Sequence, residues 1–336
     1  MFSLPTEVQL DVLKCLNFNQ LTSFKLTNFY FLNLINKYEG ELARMKFYQI
    51  SIIHENHISV LYKFIDLESG IFEFTLNDQR KSEWQVAIDK SIPLFLNNFG
   101  YTKDIFVSIE NLKDKKPHYI LKLPTVPKNI KEMIIIRCWL EHLFNCAFEI
   151  IELKSSVFNP EMIKILFGND KKIPLQFNIK KMLLWNHNKI FENILNFSLN
   201  HLSISECHMI NCRDITEEHK NIIFNILINE GNKFPQIYFN KPKLTWLYDF
   251  IVKYIETSKD FSRMVPVINL DDISPTNFKL SERAEKVEIK QFRSLSKYTI
   301  YEIANIYNPK VRFSFRHQQI NNGPIHIEIR KLKERI

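Results

Sequence analysis

The sequence predicts an α/β protein made of two unlike parts. A short run of amphipathic helices comes first, followed by a long stretch in which β-rich and helical segments alternate. Three observations carry this. Residues 1–48 place apolar side chains at helical spacing between cap residues. Residues 105–336 repeat short strand-like runs with helix-like runs between them. The chain then reaches two alternating runs, 311–317 and 325–332, around "NNGP" at 321–324, a strong hairpin signal.

In the opening stretch "LPTEVQLDVLKCL", a helix begins at Pro5, where proline suits the first turn and Glu7 lies near the positive end of the dipole. Val8, Val12, Leu13 and Leu16 form its apolar stripe, while Glu7, Gln9, Asp11 and Lys14 face elsewhere. Asn17 or Asn19 caps a second helix that turns Leu21, Phe24 and Leu26 inward. Thr27 or Asn28 caps a third, with Tyr30 or Phe31, Leu34 and Ile35 as its stripe. Three helices this short bury little surface alone, so such a module leans on a neighbour or a partner.

These residues resemble the F-box. The motif opens on Leu-Pro, an acidic and an aliphatic residue, here Leu4, Pro5, Glu7 and Val8. It continues with a paired aliphatic and a leucine, here Val12, Leu13 and Leu16, and a second-helix leucine, Leu21. A hydrophobic–Thr pair (Leu26-Thr27), an aromatic (Tyr30 or Phe31, where the family usually has Trp) and Leu34 complete it. Gln20 stands where an acidic residue is common. The resemblance covers residues 2–48. It implies that Leu4, Pro5, Glu7, Val8, Val12, Leu13, Leu16 and Leu21 dock on the Skp adaptor, which links F-box proteins to cullin and RING subunits in an SCF-type ubiquitin ligase. The plainer alternative is a helical cap on a larger domain.

Residues 49–104 read as a connecting segment, with strands within 57–77. Residues 105–336 read as an α/β interaction domain. Strands are expected at 105–110, 133–138, 149–154, 201–206, 236–240, 265–270, 286–292 and 311–317, with a further one hidden near "KKMLLWN". Helices fall at "NPEMIKILFG", capped by Asn159 with Pro160 at its first position, at "TEEHKNIIFNILINEG", ending at Gly231, and at "KPKLTWLYDFIVKYIETS". Such alternation favours parallel strands joined by right-handed crossovers. A curved, leucine-rich-repeat-like stack is one solution, although only "LNHLSISEC" partly echoes that consensus; a closed or doubly wound α/β domain is the other. The final hairpin closes or caps the sheet.

Composition narrows the function classes. The 336 residues are 45% hydrophobic and 24% charged, with 6 glycines and 13 prolines, which is globular and free of low-complexity sequence. The net charge of +8 is interspersed, and the basic clusters at 113–116, 171–172, 180–181 and 330–335 are short. They read as solvated surface before nucleic-acid patch. Cys15, Cys138, Cys146, Cys207 and Cys212 are odd in number and scattered, as reduced thiols of an intracellular protein are. Residues 1–20 make no secretory signal, and no apolar run is long enough to span a membrane.

No phosphate-cradling glycine loop, nucleophile elbow or HExxH stands in the chain. "CHMINC" brings Cys207, His208 and Cys212 close in sequence but lacks paired CxxC spacing, and Asp271-Asp272 reads as a turn. No catalytic, metal or cofactor site is therefore assigned. Tyr238, Trp246 and Arg312 are conceivable recognition residues, inseparable at this stage from core positions. The reading is a non-catalytic substrate receptor of a ubiquitin ligase, intracellular, with an unknown protein target. The rivals are an interaction protein outside any ligase and a nucleic-acid binder.

Overall fold

The computed structural model describes residues 4–38, 41–55, 62–71, 76–97, 104–111, 118–168, 173, 175–185, 190–211, 215–240, 244–275, 279–292, 296–321 and 323–332. They divide into two compact units. The first lies within Met1–Ile151, Ser156–Ile179 and Leu195–Ser203, the second within Glu152–Ser155, Lys180–Ile194 and Ile204–Ile336. Both mix helices with strands, so the chain is α/β, the class the sequence predicts.

The first unit begins with three helices, α1 (Thr6–Lys14), α2 (Phe18–Lys25) and α3 (Phe29–Lys37). It continues through β1 (Met45–His54), β2 (Tyr62–Phe64), a 3-10 turn at Leu67–Gly70, α4 (Asp78–Asp89), β3 (Phe95–Asn97), β4 (Ile105–Glu110) and β5 (His118–Leu121). Then come α5 (Ile130–Phe144), β6 (Cys146–Leu153), β7 (Ser156–Phe158) and α6 (Pro160–Phe167). The strand order is β6-β1-β4-β5-β2, with β3 and β7 pairing separately. β1–β4 and β4–β5 run antiparallel and β2–β5 parallel, so this sheet is mixed and not the all-parallel array expected. The core is aromatic: Phe144 meets Phe177 at 4.8 Å and Phe167 at 5.6 Å, and Phe158 meets Phe95 at 5.2 Å. Trp84 is fully buried and donates its indole N–H to the Ile165 carbonyl at 3.0 Å. Gly70 is required beside Trp139, because a Cβ there would overlap the indole ring.

One expected strand is a helix. Residues 133–138 lie inside α5, where Met133, Ile136, Leu140 and Leu143 or Phe144 fall inward at helical spacing. The Asn129 side chain accepts from the Glu132 N–H at 2.9 Å, and the Glu132 carboxylate accepts from the Lys128 N–H at 2.8 Å. This N-terminal capping nucleates a helix through the β-branched run, and tertiary burial overrides the strand propensity of three isoleucines. The expected strands within 57–77 lie largely outside the described residues; β2 and the 3-10 turn occupy the part that is described.

The second unit takes in most of β8 (Phe177–Trp185) and β9 (Leu202–Asn211), the start of α7 (Phe191–His201), and then α8 (Glu217–Asn229), β10 (Gln236–Asn240), α9 (Thr245–Thr257) and β11 (Val267–Ile273). β12 (Glu285–Phe292), β13 (Ser296–Ala304), β14 (Arg312–Ile320) and β15 (Ile325–Lys331) complete it. The order is β12-β13-β14-β15-β11-β10-β9-β8. β9, β10 and β11 are parallel neighbours in sequence order, with α8 following β9 and α9 following β10. β15 then adds antiparallel to β11 and begins a four-stranded antiparallel meander, so the chain ends on twice the hairpin the sequence predicts. Capping follows the sequence signals: Thr216 accepts from the His219 N–H, Asn159 from the Glu161 N–H, and Gly168 ends α6 with φ at 55°.

Tyr301, Phe313, Phe315 and His317 are buried on one sheet face under α9, whose Tyr248 hydroxyl meets the Tyr301 hydroxyl at 2.7 Å. Asn305 closes α9. Its amide donates to the Ile255, Glu256 and Ser258 carbonyls at 2.8, 3.0 and 2.9 Å, and its oxygen accepts from the Tyr307 and Asn308 N–H groups. Among the described residues no helix is long and apolar enough to cross a membrane.

Candidate functional site

The N-terminal helices show how each expected contact residue is placed. Pro5 stands at the N-cap of α1 in an extended conformation, just ahead of the first turn. Asn17 caps α2 in a reciprocal box with Gln20, and Asn28 caps α3 by accepting from the Phe31 N–H. Gln20, the departure from the common acidic residue of the motif, therefore has a local use in building α2. The module closes over its own core of Leu13, Leu21, Phe31, Leu34, Ile35 and Leu42, with Leu10, Leu16, Phe24 and Tyr38 at its margin.

α1 consequently has two apolar stripes where the sequence predicts one. Leu13 is fully buried and Leu21 nearly so; both build the module and have no free surface to offer a partner. Leu16 sits half-buried at the core margin. Leu4, Val8 and Val12 form the other stripe, one helical turn apart, each 40–42% exposed. Pro5 and Glu7 are exposed beside them. Leu26, expected inward, is 84% exposed, because α2 ends at Lys25 and the chain turns there into α3. Phe29 and Tyr30 at the start of α3 are also exposed.

Gln9 is the residue the sequence reading misplaces. Expected on the polar face, it is 1% exposed. Its amide donates to the Leu4 carbonyl at 2.7 Å, and its side-chain oxygen accepts from the Tyr30 hydroxyl at 2.7 Å. It ties the Leu-Pro turn to α3 and holds Leu4 and Tyr30 in place. Periodicity alone cannot find such a residue, since the partner lies 21 positions away.

The second unit has a polar sheet face opposite the one that buries Phe315 and Tyr301. Tyr238 donates its hydroxyl to Asp271 at 2.7 Å and stacks on His326 at 5.8 Å; burial and the Asp271 carboxylate push the phenol well above its usual range. Asp271 and His326 approach to 3.6 Å. Trp246 packs edge-on against Phe250 on α9, and Arg312 is bound by Glu302 and Glu285, so neither stands beside Tyr238's cluster as a free anchor. Cys207 and His208 are consecutive strand residues and point to opposite faces, which prevents them from sharing a ligand. Burial raises the Cys207 thiol to about 11 and lowers His208 to about 3. Cys212 and the basic clusters at 113–116 and 171–172 lie outside the described residues. Among the described residues no group of three His, Cys, Asp or Glu side chains is arranged to hold a metal.

Residues 65–213 are similar to a family described as a domain of unknown function, DUF8381; the matched segment is less than half of the chain and begins downstream of the three helices. No curated protein and no solved structure matches the chain.

Proposed function

We propose that this chain is the substrate receptor of an SCF-type ubiquitin ligase, docking the Skp adaptor through residues 2–48 and holding a protein target through its α/β part. The observation that carries the reading is the Leu4–Val8–Val12 stripe. It is an apolar row left uncovered on a helix whose opposite side already fills the core of the module. With Leu26, Phe29 and Tyr30 it supplies exposed apolar side chains of the kind a helix-packing partner covers. The F-box resemblance supplies the identity of that partner.

The sequential, parallel β9-β10-β11 run with α8 and α9 between its strands supports the leucine-rich-repeat-like reading of the interaction domain. A receptor of this kind performs no chemistry itself. It raises the effective concentration of a target lysine near a ubiquitin-charged partner inside the cell.

The test is reconstitution. Full-length chain mixed with purified Skp adaptor, cullin and RING subunits should co-elute as one assembly at near-physiological salt, because the contact is apolar. Folded chain that stays apart from the assembly would point to an interaction protein outside any ligase. Retention on polynucleotide that falls steeply with salt would point instead to a nucleic-acid binder.

A further inference from the structure

We infer that β12 is a self-complementary edge through which two copies of this chain pair into one continuous sheet. β12 is the end of its strand order, and among the described residues only β13 pairs with it. Among the described residues its other edge is a row of backbone donors and acceptors open to a further strand. The strand is exposed on both faces. Glu288 and Lys290 lie on one side; Val287 and Ile289, 46% and 64% exposed, lie on the other. Ile289 pairs with Thr299 and Thr299 with His317, so Val287 and Ile289 carry the apolar, helix-covered face of the sheet beyond the part that α9 covers.

Edges are guarded against pairing by shortness, proline, β-bulges and charged side chains. β12 has eight residues and no proline, and its bulge falls at the start, between Glu285 and Glu288, leaving Glu288–Phe292 in regular register. Its charges select the occupant. In an antiparallel pairing of two copies centred on Ile289, each Ile289 faces itself. Each Glu288 then lies opposite Lys290 of the second copy. Centred one residue to either side, Glu288 or Lys290 would face its own like charge, which destabilises a cross-strand pair. Within one chain Lys290 Nζ already sits 2.8 Å from Glu288 Oε2, so the dyad gathers two acids and two bases into a closed square. The strand belongs to the second unit and the adaptor stripe to the first, so this inference does not depend on the ligase reading.

Sedimentation equilibrium of the full chain tests it with a charge exchange. Wild type should show a reversible monomer–dimer equilibrium. Glu288→Lys and Lys290→Glu, each alone, place two like-charge pairs across the dyad and should weaken dimerisation about tenfold or more. An equimolar mixture of the two variants should recover it, because each lysine of the first then meets a glutamate of the second. Both sites are exposed, and unchanged thermal melting of each variant separates this effect from misfolding. A folded wild type that stays monomeric, a dimer indifferent to the single exchanges, or a mixture that fails to recover would each overturn the proposal, as would a β12 edge that pairs only with a segment of another protein.

Discussion

Gln9 makes the sharpest claim about how the N-terminal module holds its surface. Its side chain is buried and makes two hydrogen bonds of 2.7 Å, one given to Leu4 and one received from Tyr30. Each is worth about 1 kcal/mol net. Leu4 and Tyr30 are themselves 41% and 43% exposed, so water can take up their polar atoms when Gln9 is removed. Gln9→Ala should therefore cost about 2 kcal/mol for the bonds plus about 1 kcal/mol for the lost packing. Tyr30→Phe leaves the Gln9 oxygen buried without that donor and should cost about 1–2 kcal/mol in the native background. In the Gln9→Ala background it should cost close to nothing from this bond, a coupling of about 1 kcal/mol. The two bonds lie inside the N-terminal module, so the module's own opening is the quantity to follow. Hydrogen exchange followed on peptides from residues 6–37 reads the opening of the module itself. Equal costs of Tyr30→Phe in both backgrounds, or exchange in α1 unchanged by Gln9→Ala, would refute the latch.

Three further outcomes follow from the second unit. Burial lowers His208 and His317 to about 3. The folded state thus keeps both rings neutral, while the unfolded chain binds protons near the usual 6.5. Stability is complete above about pH 6.5 and is lost progressively as pH falls toward about 3. Neither ring nitrogen of His208 has a hydrogen-bond partner among the described residues, so His208→Leu should cost little at neutral pH and flatten the acid limb of thermal midpoint against pH; a slope equal to wild type would contradict this. Asn305→Ala removes an amide whose two N–H groups are shared among three carbonyls, and an oxygen that accepts two bonds, at the end of α9; it should cost about 3 kcal/mol or more, read as a lowered thermal midpoint, and a shift below about 1 kcal/mol would show that the α9 carbonyls find other partners. The Cys207 thiol, held up near 11 by burial, should react with iodoacetamide at mildly alkaline pH far more slowly than the exposed Cys15.

What was legible in the sequence was local chemistry. Asn17, Asn28, Asn159 and Thr216 cap the helices their positions announce, and the strands at 105–110, 236–240 and 286–292 alternate or run apolar as strands do. The failures arise where distant packing decides. The isoleucines of α5 read as a strand until Asn129 and Glu132 are seen closing its first turn. α7 and β13 received no element, although Phe197 and Tyr301 in them are among the most buried side chains. On α1, Val12 and Leu13 are neighbours in one apolar pattern, and only the approach of α2 and α3 determines that Leu13 goes inward and Val12 stays out. That division matters for the proposed site, because Leu13 and Leu21 are buried within the module, whereas Leu4, Val8, Val12, Leu26, Phe29 and Tyr30 are exposed and open to the proposed adaptor.

The measurement that tests the central claim most directly is calorimetric titration of the full-length chain with purified Skp adaptor, beside the Val8→Asp/Val12→Asp variant. Both valines are exposed and neither fills the module core, so the variant should fold as wild type does. Wild type should bind with an affinity nearly independent of salt. The variant should bind about a hundredfold more weakly, since two apolar contacts are lost and two charges would have to be desolvated. Folded wild type that fails to bind the adaptor, or a variant that binds it equally well, would contradict the assignment of this stripe as the ligase-docking face.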